Sequence, residues 1–333
     1  MDRELAALLQ QIKPTDTRAV AALRERLRRH CPQTDPKLAA LAAQLGGILK
    51  DRSRTSLKKA VLIFAADHAV DGKENKTHGR QSKAAAEKIA AGCGPINQVA
   101  HRVGAGVLLL EMGLEDPVPE SPGVQDLQVM KGARFWEKGA AMTADEMLDA
   151  LFSGVQLADT LAAEGYDVLG IGQLGERAFV TALVMTAVYC RTDLSPRIQD
   201  CTDAETRHLL TGIAQKRLSP AAPLDVLQQA GAPDIAAMTG FILGAAYHER
   251  CVFFDTAVTG AAVLTAQALC PATAQYVFPS EHYDEPVHRM QMQKLGQTPF
   301  LETGHLDGQG TGAALGLALA DAAQQVLGRL QAE

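Results

Sequence analysis

Gly308-Gln309-Gly310-Thr311-Gly312 is the run in this chain with the most direct chemical consequence. Three alternating glycines let a backbone approach a ligand or a neighbouring strand closely, and the apolar residues behind them open a helix. The spacing is not that of the G-x-G-x-x-G dinucleotide loop, and no long βαβ unit follows. Gln309 would stand in a crevice between two glycines; alternatively the glycines serve only a tight helix–sheet contact. Asp67-His68 closes another apolar run. Such a pair can orient a substrate or exchange a proton with it, or can cap the following turn. Gly172-Gln173-Leu174-Gly175 lies between an apolar run and a helical stretch, where backbone N–H groups and a helix dipole receive phosphate. Glu176 behind it repels an anion, and Arg177 either clamps the phosphate or fills the site. Asp255-Thr256 and Pro279-Ser280-Glu281-His282 also follow apolar runs directly. Residues 281–288 gather carboxylates and imidazoles, but their spacing fits no standard ligand pattern and Pro286 reads as part of an irregular loop. No metal site is expected there.

For these residues to meet, the segments before them must lie side by side. Residues 60–66 are continuously apolar and stop at Asp67, as a strand buried on both faces does. Residues 106–112, 166–171, 251–255 and 274–278 read the same way, and helical stretches fall between them at 82–103, 143–164, 176–189, 235–247 and 259–269. Strands alternating with helices predict an α/β fold, a mainly parallel sheet with helices on both faces and right-handed crossovers. Ligands of such sheets bind beyond the carboxyl ends of the strands. Asp67, His68, Gly172, Gly175, Arg177, Asp255, Ser280, Gly308, Gly310, Thr311 and Gly312 therefore outline one small-molecule crevice. The first fifty residues read as helices. Val20, Leu23 and Leu27 mark one, with Arg24, Arg26, Arg28 and Arg29 as its solvated face; Leu38, Leu41, Leu45, Ile48 and Leu49 mark the next. Residues 203–218 form a charged helical insertion of open role.

Composition narrows the class. At roughly 150 residues per domain, 333 residues allow two domains or one large α/β unit. Hydrophobic residues at 47% and charged residues at 21% provide for a large core and exclude general disorder. A net charge of -6 argues against a nucleic-acid binder held by phosphate contacts. The six cysteines are scattered without a Cys-x-x-Cys pair, which fits reduced thiols in the cytoplasm. The N-terminal residues Met1-Asp2-Arg3-Glu4-Leu5 show no apolar signal region. Residues 251–270 are apolar over about the length of a membrane span. Asp255 inside them indicates a strand followed by a buried helix instead, so no membrane association is expected.

Four motifs in order resemble the nicotinate-nucleotide–dimethylbenzimidazole phosphoribosyltransferase family. They are Phe64-Ala65-Ala66-Asp67-His68-Ala69-Val70, Gly92-Cys93-Gly94-Pro95-Ile96-Asn97, the run from Asp234 to Ala246, and the run from Gly308 to Gly316. They are similar to the family's FAGDHGV, GGAAIN, EIAAMAGAILGAA and GEGTGAALA, and the resemblance extends from about Ala60 to about Ala320. It implies a Rossmann-like sheet (residues 56–304) with a small helical domain from the chain ends (1–55 and 305–333), arranged as a dimer. It also implies transfer of 5-phosphoribose from nicotinate mononucleotide to an aromatic base, giving the α-ribotide lower ligand of cobamides, with no further cofactor.

The departures from that pattern are specific. Gln309 stands at the family's general-base Glu, and an amide cannot accept a proton near neutral pH. The phosphate loop GEMGIGN is matched by Gly172-Gln173-Leu174-Gly175-Glu176-Arg177-Ala178, which keeps two glycines and loses the carboxylate, the third glycine and the Asn. The N-terminal KPPGSLG is absent, and the base-pocket Ser-x-x-Pro is replaced around residues 75–78. With these changes the chain resembles the divergent subunit of two-subunit forms of the family, which implies a degenerate site of its own, a paralogous catalytic partner chain and phenols among the acceptors. A homodimer, a stand-alone enzyme in which Gln309 only orients a nucleophile, and a non-catalytic binding protein for a nucleotide or cobamide precursor are the alternatives.

Overall fold

The computed structural model describes residues 3–54, 56–69, 78–136, 139–200, 207, 210, 211, 216–283, 285–303 and 308–330. Residues 75–77 of the base-pocket stretch, most of the 203–218 insertion, Cys201 and Asp284 lie outside the described residues. Six strands run β1 (Lys59–Ala66), β2 (Gly106–Gly113), β3 (Val124–Asp126), β4 (Val168–Leu174), β5 (Cys251–Phe254) and β6 (Val277–Pro279). They form one sheet in the order β3-β2-β1-β4-β5-β6, and every pairing is parallel. All carboxyl ends therefore share one edge, and the order reverses between β1 and β4, the switch point where such sheets open a crevice.

The helices are α1 (Arg3–Gln11), α2 (Thr17–His30), α3 (Pro36–Leu49), α4 (His78–Ala90), α5 (Pro95–Arg102), α6 (Ala144–Ala163) and α7 (Ala178–Cys190). They continue with α8 (Ser195–Asp200), α9 (Pro223–Ala230), α10 (Pro233–Tyr247), α11 (Ala257–Leu269), α12 (Pro286–Leu295) and α13 (Thr311–Arg329). Local chemistry sets their starts. Asp16 and Asp35 accept the first free N–H groups of α2 and α3. Thr143 with Glu146 forms a capping box on α6. The helical stretch read at 82–103 is two helices: Gly92 turns left-handed at φ 73° and Pro95 starts α5 afresh. Pro286 likewise begins α12, with Glu285 as its cap, where the sequence reading had a loop. On α2, Arg28 and Arg29 both donate to Glu25 at an exposed surface, as a solvated face would.

Three close approaches fix the packing. Gly46 and Gly47 of α3 receive Leu23 and Val20 of α2, and Gly46 also meets Leu327, which joins the two chain ends. Helix α13 continues from that cluster across the sheet to lie on β4 and β5. Helix α10, buried along almost its whole length, crosses α6 through Gly154, Gly240 and Gly244. A β-carbon at Gly240 would fall inside the Leu151 carbonyl, and one at Gly154 inside that of Ala237. Gly240→Ala should therefore lower stability by about 1–3 kcal/mol as the helices are forced apart. Urea unfolding of the variant reads this directly, and an unchanged midpoint would contradict the close crossing.

Candidate functional site at the carboxyl edge of the sheet

Asp67 braces the switch point. Its backbone N–H donates to Gly113 O at 3.0 Å. Its carboxylate accepts from Ser82 Oγ (2.5 Å), Glu176 N (2.9 Å) and Glu115 N (2.9 Å). The exits of β1, β2 and β4 and the start of α4 are thereby tied to one buried group, whose oxygens are engaged in holding backbone. His68 is also fully buried. Its Nε2 lies 2.9 Å from Asp234 Oδ2 and its Nδ1 2.9 Å from Thr181 Oγ1. Asp234 further accepts from Gln173 Nε2 at 2.9 Å and from Ile235 N at 2.7 Å. With a carboxylate on Nε2, that nitrogen carries the proton and Nδ1 accepts. Thr181, His68 and Asp234 have the order of a nucleophilic triad, yet all three are sealed from solvent, so they fasten α7 and α10 to β1.

Strand β4 runs three residues further than the apolar run indicated, so Gly172 and Gln173 belong to the strand and not to a phosphate loop. Gly172 pairs with Ile63, and a β-carbon there would collide with the Gly310 backbone. The loop that follows β4 is residues 175–177. Gly175 passes so close to Ala66 O that no side chain fits, and Arg177 holds a left-handed φ of 59° at the N-cap of α7. The Arg177 guanidinium donates to Ala69 O at 2.8 Å through Nη1. A cavity of about 400 Å³ opens here, lined by Gly175, Arg177, Gly308, Glu285 and His288 together with Phe179, Val258 and Tyr283.

The glycine run forms the other wall. Gly310, at φ 85°, caps α13 and lies on β1 and β4; a β-carbon would sit 2.8 Å from Ile63 Cδ1 and 2.9 Å from Val61 Cγ1. Thr311 is buried at the first turn, and Gln309 is half-buried between Gly308 and Gly310. Gly312 fits between two acids: its β-carbon would lie 2.7 Å from Asp255 Cβ and 2.8 Å from Glu281 Oε2. Asp255 accepts from Ala313 N at 3.4 Å. Ser280 is turned inward, and its hydroxyl donates to Phe254 O at 2.8 Å.

The structure places Asp67, His68, Gly175, Arg177, Asp255 and the glycine run at one edge. Sequence reasoning did not single out Asp234 or Thr181, and it named Glu281 only as part of the Pro279–His282 strand end and the 281–288 cluster. Asp234 follows Pro233 at the opening of α10, a position whose sequence signature is an acid in the first helical turn. His288, buried and accepting from Tyr283 N at 3.4 Å, is pushed down to about 4 by burial and by His282, so it is neutral. Among the described residues no group of three or more His, Cys, Asp and Glu is placed to hold a metal ion.

A parallel sheet of this order, with the N-termini of α7 and α11 and Gly308 bordering a cavity beyond the ends of β4 and β5, defines a doubly wound α/β protein. A family model described as Phosphoribosyltransferase matches residues 12–332. The nicotinate-nucleotide–dimethylbenzimidazole phosphoribosyltransferase of Geobacter metallireducens is 31% identical over 337 residues, 97% of this chain and 94% of the relative. That of Deinococcus radiodurans is 31% identical over 332 residues, 95% and 90% of the two chains. The crystal structure of CobT from Thermus thermophilus matches with a TM-score of 0.80 at 27% identity, covering 93% of this chain and 96% of that one. The chain belongs to the nicotinate-nucleotide–dimethylbenzimidazole phosphoribosyltransferase family.

Burial raises Glu281 from an ordinary 4.5 to about 7, against the opposing N–H of Thr303. A carboxyl raised by folding stabilises fully below its unfolded value, and that contribution is lost as pH rises through the folded one. Thermal melts between about pH 5 and about pH 8 should show the parent losing on the order of 2 kcal/mol more than Glu281→Gln. Parallel curves would contradict the burial of an ionisable Glu281.

Proposed function

We propose that this chain takes part in transferring 5-phosphoribose from nicotinate mononucleotide to an aromatic acceptor of phenol or benzimidazole type, yielding the α-ribotide lower ligand of a cobamide. The observation that carries this is the cavity between residues 175–177 and the glycine run. Its polar side offers the N-terminal N–H groups of α7 and α11 and the Arg177 guanidinium, which suit a phosphate. Its apolar side offers Phe179, Val258 and Tyr283, which suit a flat ring. The leaving pyridinium takes the C1′–N bonding pair and departs neutral, so it needs no acid. The acceptor attacks the opposite face of C1′ and inverts it. Reduced thiols at the five described cysteines accord with a cytoplasmic setting.

Gln309 favours a second reading, in which this chain is the divergent subunit of a heterodimer and a paralogous chain carries the working site. Steady-state transfer to phenol and to dimethylbenzimidazole, by this chain alone and mixed with a paralogue bearing Glu at the Gln309 position, separates the two. Turnover by the chain alone supports its own site. Turnover only in the mixture, unaffected by Gln309→Ala, supports the divergent subunit. In either case Arg177→Ala should weaken nicotinate mononucleotide binding to this chain at least about tenfold by calorimetry, as loss of a charged phosphate partner does. Unchanged binding would remove Arg177 from the phosphate site.

A further inference from the structure

We propose that Glu281 supplies the proton acceptor that Gln309 cannot be, reached through the hydroxyl of Thr303. The inference rests on the transferase reading above. An acceptor O–H or N–H that forms a bond to C1′ must lose its proton, and the Gln309 amide does not take one near neutrality. The fully buried acids of the carboxyl edge differ in how their oxygens are used. Asp255 accepts from Ala313 N, and Asp67, Glu111 and Asp234 accept from backbone and side-chain donors on both oxygens. Glu281 does not: Thr303 donates its hydroxyl to Oε1, while Oε2 is buried and makes no hydrogen bond among the described residues. Leaving a buried carboxylate oxygen without a donor is unfavourable by about 1–3 kcal/mol, so an oxygen kept in that state marks a group whose charge has a use.

Its placement is compatible with that use. Oε2 lies against Gly312 in the first turn of α13, 2.8 Å from where a β-carbon would be, four residues beyond Gly308, which lines the cavity. Residues 280–282 are zipped to Leu301 by the bonds Leu301 N to Ser280 O (2.9 Å) and His282 N to Leu301 O (2.8 Å). That pairing carries the exposed Thr303 over the buried carboxyl. Asp255 faces Glu281 from the end of β5, His282 is its neighbour in sequence, and α13 presents its N-terminal peptide dipoles. Burial and an adjoining acid favour the neutral form, the helix end favours the ionised one, and the group titrates near pH 7, as an efficient general base does.

The step balances. The C1′–N bond breaks with its electron pair going to the pyridine nitrogen, and the acceptor oxygen or nitrogen bonds to C1′. The acceptor's proton passes to Thr303 Oγ as the Thr303 hydroxyl proton passes to Glu281 Oε1. After product release the neutral Glu281 returns a proton to water by the same route.

The test is kcat/KM against pH, from about pH 5 to about pH 9, for the chain in whichever form turns over, alone or with its paralogue. The parent should rise through about pH 7 and level off. Glu281→Gln should lose about 10²–10⁴-fold and the rising limb with it, while nicotinate mononucleotide binding stays within about threefold. Thr303→Val should lose at least about tenfold, and because it changes an exposed position and leaves the buried Glu281 side chain in place, it decides the matter should Glu281→Gln unfold. Adding Gln309→Glu to Glu281→Gln should restore part of the loss, which a purely structural Glu281 would not allow. A Glu281→Gln chain within about threefold of the parent, with the limb retained, overturns the inference while the transferase reading stands. A parent that turns over nothing in either form overturns both.

Discussion

Everything at the site depends on one seam without side chains. Helix α13 lies directly on the sheet because Gly310 meets Gly172, Ala313 meets Gly170, and Gly316 meets Phe253. A single β-carbon at Gly172 or Gly310 would lift the helix and its leading loop off β1 and β4. Because the seam is closed, half-buried Gln309 is held next to Gly308, which lines the cavity, Thr311 is buried, and Gly312 fits between Asp255 and Glu281. The same helix is anchored at its far end by Leu327 against Gly46, so the chain termini and the crevice edge are mechanically one piece.

Around the seam, buried carboxylates divide the work. Asp67 holds three loop exits in register and so fixes where residues 175–177 pass. Asp234, at the start of α10, holds His68 and Gln173 where the dipole favours its charge. Neither is placed to act on a ligand, and both make the crevice rigid before a ligand arrives, which is how a site keeps reacting atoms aligned. Burial raises two buried carboxyls to about 7, close to the balance point between neutral and charged: Glu111 near the end of β2 and Glu281 beside α13. The sheet edge thus carries Asp67, Asp234 and Glu111, engaged on both oxygens, together with Asp255 and Glu281 on either side of Gly312.

The sheet was legible because strands buried on both faces read as apolar runs ended by polar residues, as at Asp67 and Asp255. Strand β3 was not, since only Val124 of its three residues is buried. Gly172 and Gln173 read as a loop by composition, and only pairing with β1 keeps them in the strand. Pro286 looked like a breaker and proved a helix start, a distinction that turns on Glu285 accepting from Val287 and His288. Glu281 was named only within a strand end and an acid–imidazole cluster, because the residues that set its environment, Thr303 and Gly312, lie about twenty to thirty positions later in the chain. Within its own sequence neighbourhood it is one acid among several. The motifs that resemble the family were legible throughout, and so was the substitution at Gln309, whose meaning depends on a neighbour that sequence alone did not supply.

The central claim is that the cavity between residues 175–177 and the glycine run receives nicotinate mononucleotide. A crystal structure of the chain grown with saturating nicotinate mononucleotide tests it most directly. The expected result is ligand density with the phosphate beside Gly175 and Arg177, at the start of α7, and the pyridine ring against the apolar wall near Tyr283. Density instead in the separate cavity that Cys31 and Arg329 line between the chain ends, or an empty crevice at saturation, would contradict the account.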